Sequence, residues 1–359
     1  MLLYKRVPLK KWCSFFVPAE GEQKRLQHCS SEKNKIMDKL KITIFADPVC
    51  TWCWGTAPVT RAIEQCYGDR VIMNYVMVKM VDDIRTFSER RLQIGGDDIP
   101  LSNRNMANAW LDASKIHGMP VETKGFRLFD EEHRSTAPQC TAYIAAEMFC
   151  EKRESGPQKA HRYLRAVQQA TAAEAVRTCL PATLADIAAT VGIEPEYMRT
   201  AMESEEARLR LARGEQLAAH YEVQSTPSFL LEYKGKELLV QGYTPFEALG
   251  EAIAKLTGGS IKPEKQATQE TINEKVARYV ARHGSVYPVE IATAFALGRR
   301  SGHTALNIES YEHLPDIIEQ LLGEEKIAIT PFANSFKIYS VGEERTLTQK
   351  REREYARTM

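Results

Sequence analysis

Residues 84 to 221 form a long stretch with helical spacing and no strand alternation, bracketed on both sides by β text. Before it lies "KITIFAD" (41–47), a β-branched run ending at Asp47-Pro48, then helical text from Trp52 to Tyr67, then the apolar run "VIMNYVMVKM" (71–80). That order is a βαβ unit. After it come two β runs (227–243) around Lys234-Gly235, a hairpin signal, and an amphipathic segment (244–259). This second helix opens at Thr244-Pro245 as cap and first position and stops at Gly258-Gly259. β-α-β, helices, then β-β-α is most simply one α/β sheet domain over 40–258 with a helical subdomain inserted at about 84–221. Within it the spacing predicts that Pro58 kinks one helix over 52–67, and that the 71–80 strand is buried on both faces.

The remaining text divides around that domain. Residues 1–39 carry basic residues but only "WCSFFV" as an apolar centre, too short for a signal peptide, so a leader without structure or a start at Met37 is expected. Residues 259–270 are polar, contain Pro263 and lack periodicity, which marks a linker. Three helical segments followed by a strand–turn–strand at 326–341 make 271–342 a small α+β, winged-helix-like module, and 343–359 a solvated tail. The module holds seven Lys/Arg against eight Asp/Glu, with one local basic cluster at Arg299, Arg300 and His303. Nucleic-acid binding needs a basic face, so a protein-partner or dimerisation role is the better expectation for 271–342. The chain's net charge of +1 marks no polyanion binder either, and no apolar run reaches the length of a membrane span.

Eight cysteines are scattered along the chain, and only Cys50 and Cys53 are close. Three readings of this Cys-x-x-Cys compete. A structural zinc site wants four ligands, and there is no second such pair and no clustered histidine. Plain packing leaves unexplained why the pair sits where a strand ends and a helix begins. A redox couple uses that position: unpaired N–H groups at a helix start stabilise a thiolate on Cys50, and Cys53, one turn later, can resolve a mixed disulfide. No metal or other cofactor is needed. With neither a signal peptide nor a membrane span read from the sequence, a cytoplasmic protein is expected, and there a Cys-x-x-Cys is more often reactive than structural. Cys66, Cys140, Cys150 and Cys179 are expected to be packing residues.

"DPVCTWCWGTAP" after a strand, with "STPSF" (225–229) before a hairpin, resembles the thioredoxin superfamily, and the helical insertion resembles its DsbA branch. "HGMPV" (117–121), "STAPQCTAYIAAE" (135–147) and "EVQSTPSFLLE" (222–232) are similar to the signal-less members, which include dithiol oxidoreductases and protease adaptors. The resemblance covers roughly 40–257. It implies an attacking Cys50 and a resolving Cys53. It also implies Thr51 and Trp52 as the dipeptide that tunes the couple, and Pro227 as a cis-proline beside the sulfurs, preceded by Thr226. No histidine lies between the cysteines, so a less oxidising couple than that of the strongly oxidising members is expected. Trp52 and Trp54 add apolar surface that can dock substrate. The expected function is thiol–disulfide exchange, as oxidoreductase or isomerase, on a protein or small-thiol disulfide, with a thiol electron donor or acceptor. The alternative is a thioredoxin-fold adaptor that binds a protease or regulator, its thiols a switch or dispensable.

Overall fold

The computed structural model describes residues 39–264 and 270–342. The expected leader and tail, and the middle of the expected linker, lie outside the described residues. Strand β1 (Leu40–Ala46) is central, parallel to β2 (Val71–Met77) and antiparallel to β3 (Ser228–Tyr233), which pairs with β4 (Lys236–Gln241). The sheet order is therefore β2-β1-β3-β4. Six of the seven β1 residues are buried, whereas β2 is half-buried for most of its length. The expectation of a strand buried on both faces fails because β2 is the sheet edge. Lys234 and Gly235 both adopt positive φ (46° and 75°), the backbone of a tight two-residue hairpin.

The expected single helix over 52–67 is two. Helix α1 (Thr51–Gly55) and α2 (Ala57–Tyr67) break at Thr56, whose N–H bonds to the Cys53 carbonyl. Pro58 therefore lies in the first turn of α2, where its missing N–H costs nothing, and kinks no helix interior.

The insertion enters as turns over 84–98, so the helical expectation starts too early. Helix α3 (Ile99–His117) begins where the Asp98 carboxylate accepts from the Leu101 N–H, and ends at Gly118 in the left-handed region (φ 77°). Residues 118–136 are again irregular. Then follow α4 (Ala137–Lys152), α5 (Gln158–Ala173), α6 (Pro181–Thr190), α7 (Pro195–Met202) and α8 (Glu205–His220). Helix α9 (Phe246–Thr257) closes the domain, with Pro245 rather than Thr244 as its cap residue and Gly258 as its left-handed stop.

The C-terminal module has the expected three helices and hairpin. They are α10 (Ile272–His283), α11 (Pro288–Ala294), α12 (Leu314–Gly323), β6 (Ile327–Phe332) and β7 (Ser335–Ser340). A two-residue strand β5 (Ser285–Val286), which the sequence reading missed, pairs with β7, giving the order β5-β7-β6. Thr271 and Glu274 cap α10 reciprocally.

This module does not hang from a tether. Its core is continuous with that around Trp54, Val81 and Trp110 of the first domain. Glu290 on α11, with no exposed side-chain surface, bonds Arg61 of α2 at 2.8 Å and Arg165 of α5 at 2.9 Å. Its carboxylate also accepts from the Tyr287 N–H. The one basic cluster found in the sequence has a structural use: Arg299 donates to the Lys115 and Ile116 carbonyls at the end of α3. Asn334 in the β6–β7 turn accepts from the Val121 N–H and donates to the Ser114 hydroxyl.

Removing Glu290 strands two guanidiniums in a buried site. Glu290→Ala is expected to cost about 3–5 kcal/mol, the usual penalty for breaking a buried ion pair from one side. Denaturant unfolding of the full chain reads this directly. A loss below about 1 kcal/mol would mean that water replaces the carboxylate.

Candidate active site

The strand β1 ends at Asp47, and the chain turns through Pro48 and Val49 into α1. The turn is closed by the Cys50 N–H on the Asp47 carbonyl (3.1 Å). Cys50 is the cap residue of α1, with extended backbone, and its carbonyl accepts the Trp54 N–H at 3.0 Å. Its sulfur thus lies at the helix start, where backbone N–H groups have no intrahelical acceptor. The Thr226–Pro227 peptide is cis, as the resemblance implies, and the Cys50 thiol donates to the Thr226 carbonyl at 3.5 Å. Cys50, Cys53, Thr226 and Pro227 are therefore together, although 176 residues separate the first and third.

The two sulfurs have opposed proton affinities. Hydrogen bonding from the Cys53 thiol, then from its backbone and from Thr226, pulls the Cys50 thiol below its ordinary range, against burial and the Asp47 charge. Burial, and the hydrogen bond it gives Cys50, push Cys53 far up. Of the two thiols, Cys50 is the one that gives up its proton more readily. The cysteines are 4% and 5% exposed, so both are almost entirely shielded by the residues around them.

Between the cysteines, Thr51 and Trp52 diverge. Thr51 is turned inward, its hydroxyl 3.4 Å from His117 Nε2. His117 Nδ1 accepts from the Met119 N–H, so Nε2 carries the proton and donates to Thr51. Burial holds His117 neutral, its pKa lowered to about 3. Trp52 is half-buried, packed edge-on to His117 (5.8 Å between ring centres) and tilted against Tyr243 (5.5 Å). Gly55 is required here: a Cβ would lie 2.5 Å from the His117 ring.

Trp54 does not belong to a docking patch. It is 1% exposed, its Nε1–H donates to the Pro120 carbonyl (2.8 Å), and its ring is held between Tyr287 and the Arg165 guanidinium. The docking expectation for Trp54 is thus overturned by packing against the C-terminal module, and Thr51 offers no exposed side chain either. Trp52, Thr226 and Tyr243 remain at the surface around Cys50.

Two residues of the site were not assigned roles from sequence. Asp47 is fully buried beneath the turn. Its carboxylate accepts from the Val49 N–H (2.9 Å), the Met80 N–H (2.6 Å) and the Thr136 hydroxyl (2.6 Å). Burial outweighs these bonds and raises its pKa to about 6. His117 stood in the quoted "HGMPV" without a function. Both were signalled only by position, one at a strand end beside the cysteines and the other inside a motif.

Set against known proteins, this site has company. The sequence profile of a family described as thioredoxin matches residues 44–251. Two relatives are named ClpXP adapter protein SpxH. One, from Halalkalibacterium halodurans, is 21% identical over 74% of this chain and 81% of its own. The other, from Bacillus subtilis, is 22% identical over 71% and 78%. Among solved structures, a protein from Nitrosomonas europaea provisionally described as a disulfide isomerase superposes with a TM-score of 0.51 and 23% identity. It covers 62% of this chain and 99% of its own, and it shows the shared fold. The thioredoxin resemblance holds over residues 44–251, which include the sheet and its helical insertion.

Two measurements follow. At pH 7, limiting alkylation should modify Cys50 ahead of Cys53; mass spectrometry showing Cys53 modified first would reverse the assignment. Asp47 binds its proton more tightly folded than unfolded, because its pKa rises from 3.8 to about 6. Its contribution is favourable below about pH 4 and is lost as pH climbs to about 6, amounting to about 3 kcal/mol. The stability difference between wild type and Asp47→Asn should shift by about that amount over this window, and a pH-independent difference would refute it.

Proposed function

This chain belongs to the thioredoxin family, and within it we propose that the protein is a thiol–disulfide oxidoreductase acting through Cys50 and Cys53. The observation that carries the reading is the geometry: two buried thiols, Cys50 at a helix start and Cys53 one turn on, beside a cis-proline whose preceding carbonyl meets the Cys50 sulfur, with proton affinities shifted in opposite directions. The Cys50 thiolate attacks one sulfur of a substrate disulfide, and the other sulfur leaves as a thiolate that takes up a proton. Cys53 then gives up its proton and attacks the Cys50 sulfur of the mixed disulfide. The substrate's second thiol is released and Cys50–Cys53 becomes a disulfide. The substrate gains two electrons and the protein loses two, so a thiol donor must restore the pair; run backwards, the same steps oxidise a substrate dithiol. Thr226 and Trp52 lie at the surface around Cys50, where the backbone before Pro227 and an aromatic face can hold an extended segment around the disulfide. A cytoplasmic location fits this chemistry, and no described helix is long and apolar enough to cross a membrane.

One observation favours a second reading. The two relatives carry the name of a ClpXP adapter. On this reading the protein presents a partner to a protease, and the thiols set when it does so or are dispensable.

The two are separated by one set of variants. Disulfide-reductase turnover should fall at least about a hundredfold in Cys50→Ser, because the attacking group is gone. Cys53→Ser should accumulate the mixed disulfide on Cys50. Equal turnover in wild type and Cys50→Ser sinks the enzyme reading. A single partner captured equally by wild type and both serine variants supports the adapter.

A further inference from the structure

A cavity of about 270 Å³ is lined from the α1 region by Cys53 and Thr56 and not by Trp52. Cys53 and Pro227 form part of its wall, and its floor is apolar, from Ile44, Ala46 and Leu164. Cys50 is not in it. Four guanidiniums line it: Arg61 from α2, Arg162 and Arg165 from α5, and Arg282 from α10 of the C-terminal module. Three separate parts of the chain have therefore been folded together to concentrate positive charge beside the resolving cysteine.

The compensating charge is incomplete. Glu290 is spent on Arg61 and Arg165, and Glu64 is the one acid in the cavity wall. Arg165 Nη1 is buried with no hydrogen-bond partner among the described residues. Arg162 and Arg282 are exposed at the rim and form no ion pair among the described residues. Arg61 and Arg282 share the single Glu64 carboxylate electrostatically, which leaves the wall with more positive than negative charge. Burial, with Arg61, Arg282 and Arg165 adding to it, lowers the pKa of His283 in the cavity wall to about 3. His161 in the same wall is lowered to about 4 by burial. Both rings are neutral at pH 7 and can donate or accept a hydrogen bond without adding charge.

We propose that this cavity is a binding site for a small organic anion carrying two or more carboxylate or phosphate charges, gripped by Arg162 and Arg282. The guanidinium forks match either oxyanion in paired hydrogen bonds. The volume limits the ligand to a compact molecule, and the apolar floor takes a short carbon frame. Since Arg282 comes from the C-terminal module, the site exists only in the docked arrangement. This goes beyond thiol exchange and does not need it.

The test is isothermal titration of the full chain with citrate and with inorganic phosphate, at fixed ionic strength against a chloride reference. Saturable one-site binding of at least one probe is expected, and which one binds more tightly separates carboxylate from phosphate chemistry. Arg162→Gln and Arg282→Gln should each weaken it about tenfold or more. Both side chains are exposed, so the variants should keep the wild-type unfolding temperature. Cys50→Ser should bind as wild type does, which separates this proposal from the redox reading. No binding above the chloride reference, or binding unchanged in both arginine variants, overturns it.

Discussion

A single buried carboxylate organises the reactive turn. Asp47 ends the central strand and receives hydrogen bonds from Val49 in the turn, Met80 beyond β2, and Thr136 at the start of α4. Three segments distant in sequence are thereby registered on one side chain, and the Cys50 N–H bonds to the carbonyl of the same residue. A neutral hydroxyl or amide would satisfy fewer of these donors, while an ionised acid pays for its burial with a raised pKa. Everything else about the site assumes that the turn is held there: the cap position of Cys50, the approach of Thr226, the direction of α1.

Helix α1 then divides its side chains between two tasks. Trp52 points to His117 and Tyr243. Trp54, two residues on, points into the interface with Tyr287 and Arg165. Because Trp54 contacts a module that begins more than 200 residues later, motions of the module are mechanically linked to the helix that carries the cysteines. Glu290 reinforces the link by pairing with both α2 and α5. A five-residue helix is too short to hold its own geometry, so its precision comes from these neighbours.

The order of elements along the chain, the insertion and the module's three helices with a hairpin were legible because each rests on local periodicity and on turn residues such as Lys234-Gly235 and Gly118. What failed depended on tertiary context. The two-face burial of β2 failed because apolar text does not say which strand is at an edge. Pro58 was misjudged because a helix break one residue earlier places it in a first turn. The cysteines and Pro227 were legible as motif residues, and Trp52 as a surface aromatic. Trp54 was not, since its fate is decided by Tyr287 and Arg165 from other parts of the chain. Asp47 and the arginines around the cavity carry no spacing signal at all; they meet only in the folded molecule.

The balance between enzyme and adapter can be argued from what the site costs. A docking surface needs exposed apolar area and complementary charge. It needs neither two thiols nine-tenths buried nor a carboxylate held above its ordinary pKa beneath them. Burying such groups opposes folding, and groups perturbed in this way cluster at functional sites. The opposed proton affinities of Cys50 and Cys53 follow from a donor–acceptor arrangement that suits stepwise exchange and has no evident value in passive packing. If the protein also delivers a partner, the same geometry makes the thiols a natural control. Oxidation would remove the hydrogen bond from Cys53 to Cys50 within a helix that is wedged, through Trp54, against the C-terminal module.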